Sequence, residues 1–383
     1  MTFTHILPSG LKKKTIMPVA FILILSMTCV AAFNYYSQVS ILKTDAEDSV
    51  ASALSTAQGF IESHLNIYKQ MATLLANTPD VGEAIGKGDR AKLTSEYQQS
   101  YEALKKGFHL NQMNFHQPPG VALLRLQNVD HYGDNLRDVR KTIADVYKNK
   151  TGVKGLEFGR TGLGLRGVEP VFSKGNLVGS LEFGGDLAPA LHDTKRANNV
   201  ECGILIAKSA TSVAQSLPDW QGKAKPIGDY LALYSTDSTL TMAIINATMI
   251  DKAKAQGSFP YIDTASYQGK SYSLGIAPLK DYSGGIIGYI YVMKDRTVVL
   301  SKIYKSLAIN VIVFILVLTA IVYAISRSIN KTVIEPVVRL SSATNDISKG
   351  KVGEKIEIPT GDEIETLAKS IDRLRVSMKL FLG

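Results

Sequence analysis

Two long, uncharged apolar runs, Ile16–Phe33 and Leu307–Ile325, split this 383-residue chain and leave a block of about 270 residues between them. A helix rises roughly 1.5 Å per residue, so either run can cross a hydrocarbon core of about 30 Å. Lys12, Lys13 and Lys14 precede the first run, and Arg327, Lys331 and Arg339 follow the second. Basic residues favour the cytoplasmic side, so these flanks predict two cytoplasmic ends and an external middle block. The expected division is a tail over 1–14, membrane helices over 15–36 and 305–326, and a cytoplasmic segment over 327–383. A cleaved signal peptide competes for the first run, because Ala31-Ala32-Phe33 closes it. The run is longer than a usual signal core and the helical pattern continues beyond it, so a retained anchor is expected. A buried helix competes for the second run.

The net charge of +9 sits largely beside the apolar runs, with no basic stripe interleaved with aromatics, which argues against nucleic acid. Cys29 lies inside the first run and Cys202 in the outer block, so they cannot pair and form no disulfide framework.

In the outer block, Ala46, Val50, Ala53, Ala57, Ile61, Leu65, Tyr68, Ala72 and Leu75 step by three or four residues. They form the apolar stripe of a long helix over 37–79 that stops at Asn77-Thr78-Pro79. A tall domain or a second copy must cover that stripe, and a homodimer pairing these helices is the expected solution. Further on, Val121–Gln127 reads as a strand, Leu136–Lys148 as a helix, and Lys154–Gly159, Leu163–Phe172 and Leu177–Phe183 as strands. This predicts an α+β arrangement, an antiparallel sheet with helices on one side. The ending recurs. Gly167-Val168-Glu169-Pro170-Val171 precedes Leu177-Val178-Gly179-Ser180-Leu181. Likewise Gly275-Ile276-Ala277-Pro278-Leu279 precedes Ile286-Ile287-Gly288-Tyr289-Ile290. Two tandem modules follow, over 80–197 and 198–297.

A long helix after a membrane anchor, then two PAS-like sheets with this ending, resembles the double Cache sensor domains of bacterial receptors. The resemblance is sharpest at Phe115–Leu126, at Gly155–Arg160 and at Gly164–Gly167, and covers roughly 40–297. It implies that the first module is membrane-distal and holds a small ligand, often an amino acid, a carboxylate or another metabolite.

Strand alternation puts Arg125, Glu157, Arg166 and Glu182 on one sheet face, with glycines leaving room above them. Arginine grips a carboxylate through two parallel hydrogen bonds, so these four are candidate ligand contacts. His116 and Arg160 join them from the motifs of the resemblance. The competing reading is a solvated sheet surface closed by cross-strand salt bridges. His109, His116 and His131 lack tight ligand spacing with a carboxylate or cysteine, so neither a metal nor another cofactor is expected. The tyrosines of the second module read as core. No nucleophile elbow, P-loop or zinc-protease motif occurs, and the glycines of Gly162–Gly167 do not sit at a strand-to-helix turn.

After the second apolar run, Val337, Leu340, Thr344 and Ile347 step helically, then Lys351–Thr360 connects to Ile364, Leu367, Ile371, Leu374 and Met378. Two short heptad helices of this kind close a parallel four-helix bundle only as a dimer. The segment resembles a HAMP domain at Pro336, at Ile356 or Ile358, and at Asp362-Glu363-Ile364, and departs from it at Glu365, where Gly is usual. The stripe Ile364, Leu367, Ile371 and Leu374, with Pro336 and Glu363, is expected to relay the signal; Asp372, off the stripe, is expected to be exposed and replaceable. The sequence ends at Gly383, where a HAMP helix normally leads into an output domain.

Together these readings predict a dimeric, multi-pass receptor of the bacterial inner membrane, not itself an enzyme, that hands its signal to a separate cytoplasmic protein or to a longer natural C-terminus. The rivals are the sensor portion of a histidine kinase or diguanylate cyclase, and a structural or adhesive membrane protein.

Overall fold

The computed structural model describes residues 11–160, 162–213 and 224–382. Trp220, expected on the outer side, and most of the tail over 1–14 lie outside the described residues. The chain forms two compact units, one comprising 42–299 and the other the remaining N-terminal and C-terminal parts.

In the first of these units the long helix α1 (Leu11–Ala76) supplies the spine. Val50, Ala53, Ala57, Ile61, Leu65, Tyr68 and Ala72 are buried, as the stripe predicts. What covers them, however, is not a second copy but the inner faces of the chain's own two sheets, which share one core with α1. A dimer is therefore not needed to satisfy this helix.

Sheet one has the order β2-β1-β5-β4-β3, built from β1 (Leu110–Gln117), β2 (Val121–Arg125), β3 (Val153–Gly159), β4 (Gly162–Ser173) and β5 (Asn176–Gly185). Every pairing is antiparallel. Helices α2 (Pro79–Lys87) and α3 (Arg90–Phe108) pack beside α1 on the inner face, while α4 (Lys141–Asn149) covers the outer face. The helices thus lie on both sides of this sheet, not on one. The expected helix over 136–148 begins later, because Leu136–Arg140 turns in from the surface first.

Helix α5 (Ala188–Asn198) leads to sheet two, ordered β7-β8-β6-β11-β10-β9. Its strands are β6 (Glu201–Ala207), β7 (Lys225–Ile227), β8 (Tyr230–Ser235), β9 (Tyr261–Tyr267), β10 (Lys270–Lys280) and β11 (Ile286–Asp295). Helices α6 (Ser238–Ile244) and α7 (Ala247–Gln256) close its outer face. Leaving out β7, the two sheets have the same order.

The repeated glycines explain why the motif recurs. A Cβ on Gly179 would strike the carbonyl of His116 on β1, and one on Gly288 would strike that of Leu205 on β6. Gly167 and Gly275 sit where α1 crosses each sheet, against the backbone at Tyr68–Lys69 and against Val50 and Leu54 respectively. The two crossings lie roughly 25 Å apart along α1.

In the other unit, the N-terminal part of α1 and helix α8 (Thr297–Ile329) each carry a stretch apolar enough to span a membrane, with none of it buried in the chain. A π-helical turn, Asn330–Ile334, joins α8 to α9 (Glu335–Ser348). Pro336 is its local cause, since the ring crowds the carbonyl four residues back. The connector leads to α10 (Glu363–Leu382). Buried here are Ala368 of α10 and Pro336, Leu340 and Ile347 of α9, while the buried Arg375 of α10 donates to the Val352 carbonyl of the connector at 2.8 Å. The apolar stripe stays half open: Ile364 and Ile371 are half-buried, and Leu367 and Leu374 are 53% and 57% exposed. Glu363 is exposed. Asp372 contradicts its expected idleness: it accepts the Ile356 N–H at 2.9 Å and the Arg375 Nε at 2.7 Å, fastening the connector to α10. Glu365 accepts the Gly361 N–H at 2.8 Å and so caps the helix start.

Candidate ligand-binding site

On the outer face of sheet one, Asn114 is opposite both Arg125 and Glu182, Val168 is opposite Glu182, and Glu157 is opposite Gly164. Side chains alternate along each strand, so Arg125, Asn114, His116, Glu182, Arg166 and Glu157 all share this face. The sequence places four of its six candidates there correctly, but β1 stands between the strands of Arg125 and Glu182.

The face is buried, not a solvated salt-bridged surface: Glu182 is 0% exposed, Arg166 2% and Glu157 7%. Its centre is Arg140, which ends the inward turn before α4. Arg140 donates from Nε to Glu157 at 2.6 Å and from Nη2 to Glu182 at 2.7 Å. Glu157 also accepts the Thr142 hydroxyl at 2.6 Å and the Thr142 N–H at 3.0 Å, which ties the first turn of α4 to β3. Glu182 accepts further from Arg166 Nη1 at 3.0 Å and Asn114 Nδ2 at 3.1 Å. Burial alone would raise the Glu182 carboxyl, yet Arg140 and Arg166 outweigh it and hold it well below the usual carboxylate range. Burial and the neighbouring Arg140 bring the Arg166 guanidinium down to about 10, an under-compensated cation. His116 is driven to about 4 by burial, which outweighs Glu182 beside it, so its ring is neutral. Its Nδ1 lies 3.1 Å from Ser180 Oγ.

Above this layer opens a cavity of about 130 Å³ whose lining includes Arg125, Arg140, Arg160 and Arg166, with Gln112, Asn114 and Gln127. Arg125 and Arg160 form its rim, both held by Asp134: Arg125 through two bonds of 2.7 and 2.9 Å, Arg160 at 2.8 Å. The Arg125 bond, ahead of burial, lowers the Asp134 carboxyl. The candidates therefore divide. Arg125, Arg160 and Arg166 face the cavity, whereas Glu157, Glu182 and the neutral His116 stand behind its wall, and the two carboxylates offset its charge. Sequence reasoning missed Arg140, Asp134 and Asn114. Arg140 and Asp134 sit in irregular chain where no periodicity assigns a direction.

Sheet two supplies an internal control. Aligned on the repeated glycines, Asn114, His116, Arg166 and Glu182 correspond to Gly203, Leu205, Leu274 and Tyr291. There Leu205, Leu274 and Tyr291 belong to an apolar core, joined by Tyr261, Tyr272 and Tyr289, as expected of the tyrosines. One tyrosine behaves differently. Tyr282, in the β10–β11 turn, reaches sheet one: its N–H donates to Leu156 at 2.7 Å, its hydroxyl to Asp145 at 3.0 Å, and its ring fills the space a Cβ on Gly155 would take.

Residues 43–299 match a family model described as the double sensory domain of two-component sensor kinases. The chain belongs to this double Cache family. A HAMP domain matches residues 328–379. Solved structures resembling the double Cache domain include the ligand-binding domain of the Campylobacter jejuni chemoreceptor Tlp3 in complex with L-valine. That domain is 10% identical, with 69% of this chain and 96% of that chain covered and a TM-score of 0.41. The periplasmic domain of Vibrio cholerae LuxQ is 14% identical, covering 64% and 98%, with a TM-score of 0.40. The sensor domain of the V. cholerae histidine kinase DctB is 12% identical, covering 64% and 95%, with a TM-score of 0.38. No curated protein matches this chain. A double Cache domain followed by HAMP is the arrangement of sensory receptors, and neither domain is catalytic.

Proposed function

We propose that this protein is a dimeric transmembrane receptor that binds a small anionic or zwitterionic ligand over the outer face of sheet one, in the membrane-distal module. The observation that carries this reading is the contrast between the two modules. The same sheet stands twice; one outer face is packed with apolar side chains and the other buries arginines and carboxylates. A buried ion cluster is poor value for stability compared with apolar packing, and perturbed charges in a cleft mark functional sites. The cavity above that cluster gives the charges something to do.

The signal leaves through Tyr282 and α8. Tyr282 touches β3 and α4, the elements that hold Glu157, and its hairpin continues through β11 directly into α8. Ligand binding favours one of two packings of the module, and α8 carries the difference to HAMP. Closure of the half-open stripe Ile364, Leu367, Ile371 and Leu374 requires a second copy, which makes HAMP the dimerising element. Both chain ends face the cytoplasm of a bacterial inner membrane, and the output is a separate protein or a following domain.

A thermal-shift screen of the full chain in nanodiscs against small metabolites tests the ligand reading, because a ligand that binds the folded state raises the melting temperature. At least one small anion or zwitterion should do so. A complete library without a hit ends the sensory reading of this cavity. A reporter fused after Gly383 should be cytoplasmic, and an external reporter there refutes the topology.

A further inference from the structure

The chemistry of the cavity wall narrows the ligand beyond the class just proposed, and this inference rests on that reading of the first module. Four guanidiniums line the cavity, Arg125, Arg140, Arg160 and Arg166, and among the described residues no carboxylate does. Three carboxylates stand against them, and all three are taken. Glu182 accepts Arg140, Arg166 and Asn114; Glu157 accepts Arg140 and Thr142; Asp134 accepts Arg125 and Arg160. His116 is neutral, so the cluster keeps one positive charge in excess. That excess is placed by geometry. Arg166 is 2% exposed, lines the cavity, and has a buried Nε with no hydrogen-bond partner among the described residues. An unpartnered guanidinium N–H beside a cavity suits a carboxylate.

The wall offers little to an ammonium group. Of its four side-chain amides, three have an oxygen already engaged: Asn114 Oδ1 accepts Gln127 at 2.7 Å, Gln127 Oε1 accepts the Met113 N–H at 3.2 Å, and Gln112 Oε1 accepts Arg166, which leaves Asn128. An amino acid entering here would set an ammonium among four guanidiniums and, being net neutral, leave the excess uncompensated. Size sets a further limit. The volume of about 130 Å³ is well under the roughly 300–1,000 Å³ of pockets that hold drug-sized molecules.

We propose that the cavity takes a carboxylate of about two to four carbons without an ammonium group, and rejects the amino acid of the same skeleton. Pyruvate and L-alanine are the decisive probes, since they share a carbon skeleton and differ in a keto oxygen against an ammonium. Isothermal titration of the full chain in nanodiscs should show pyruvate binding at least about tenfold more tightly than L-alanine. Arg166→Lys, which keeps the charge but removes the planar edge, should weaken pyruvate about tenfold or more, with melting curves showing that the variant is folded. If that variant does not fold, Arg160→Gln on the cavity rim should weaken pyruvate instead.

L-alanine binding as tightly as pyruvate overturns this inference and leaves the sensory reading intact. Binding of sulfate alone overturns the carboxylate assignment. Wild-type affinity in the folded Arg166→Lys variant, or in Arg160→Gln where that variant does not fold, overturns the placement. Silence from all probes at about 10 mM also overturns it, and the broader screen then decides the sensory reading separately.

Discussion

Arg140→Met should be the most damaging single change in the first module. Arg140 is 4% exposed and bridges Glu157 and Glu182 with bonds of 2.6 and 2.7 Å. Charge-assisted bonds of this kind contribute roughly 1.5–3 kcal/mol each, so two give about 3–6 kcal/mol. Removing one partner from a buried ion pair independently costs about 3–5 kcal/mol, because the surviving charge is stranded. The two figures agree, and Met fills the space of the stem, so little of the effect is cavity formation. For a unit of this size, a melting temperature falls by roughly 2–4 °C per kcal/mol, giving about 6–20 °C. Scanning fluorimetry of the full chain in nanodiscs reads that shift. Hydrogen exchange localises it, which matters because a chain of two units need not unfold in one step. Exchange should rise in α4 and β3 and stay unchanged in sheet two. Arg140→Met combined with Glu157→Gln should recover about half of the loss, since the Gln carbonyl still accepts the Thr142 N–H, its amide N–H donates to the Thr142 hydroxyl, and no charge is stranded on β3. A melting point for Arg140→Met within about 2 °C of wild type would show that the cluster is not the buried ion network described here.

Three further outcomes follow from single side chains. His116 is held at about 4 against an ordinary 6.5, so between these values the unfolded state binds a proton that the folded state does not. Stability should therefore fall by about 3 kcal/mol as pH drops from 6.5 to 4, and His116→Leu, with the residue sheet two uses there, should flatten that part of the pH–melting curve. Tyr282→Ala should leave ligand affinity within about threefold of wild type but suppress ligand-induced change in the cytoplasmic helices, read by disulfide crosslinking along α10; normal coupling would remove Tyr282 from the path. Asp372→Ala should free the connector at a cost of about 1 kcal/mol and raise exchange at the Ile356 amide, whereas a silent Asp372→Ala would show that the Ile356 and Arg375 bonds do not hold the connector.

Much of this architecture is legible because its determinants are periodic. The α1 stripe, the strands β3 to β5, the glycine-marked hairpins and the HAMP helices all repeat at the spacing of their own secondary structure. Where the sequence misleads, periodicity is interrupted by function or by long-range contact. Strand β1 reads poorly because its alternation is short, with Met113 and Phe115 as its apolar pair, and a register shift between Leu110 and Gln112 breaks the phase. Arg140 and Asp134 act from irregular chain, and their direction comes from the fold around them. The partner of the α1 stripe is not legible either, since an apolar stripe states that it is covered and not by what. Asp372 looks solvated by helical spacing alone, yet the connector returns across it. The charged face of sheet one is legible because four charged residues fall on one side of strands whose register the glycines fix.

The central claim is that the charged face of sheet one, and not its apolar counterpart in sheet two, binds the ligand. The direct measurement is the affinity of the full chain for its best small anion or zwitterion before and after Arg166→Leu, which installs the residue found at the matching position, Leu274. Arg140 and Asn114 still satisfy Glu182 in that variant, so circular dichroism should report an intact fold. Affinity should fall roughly ten- to a hundredfold, the loss of one arginine–carboxylate contact of about 1.5–3 kcal/mol. Tyr291→Phe in sheet two should leave affinity unchanged. Unaltered binding by Arg166→Leu, or binding lost with Tyr291→Phe, would contradict the account.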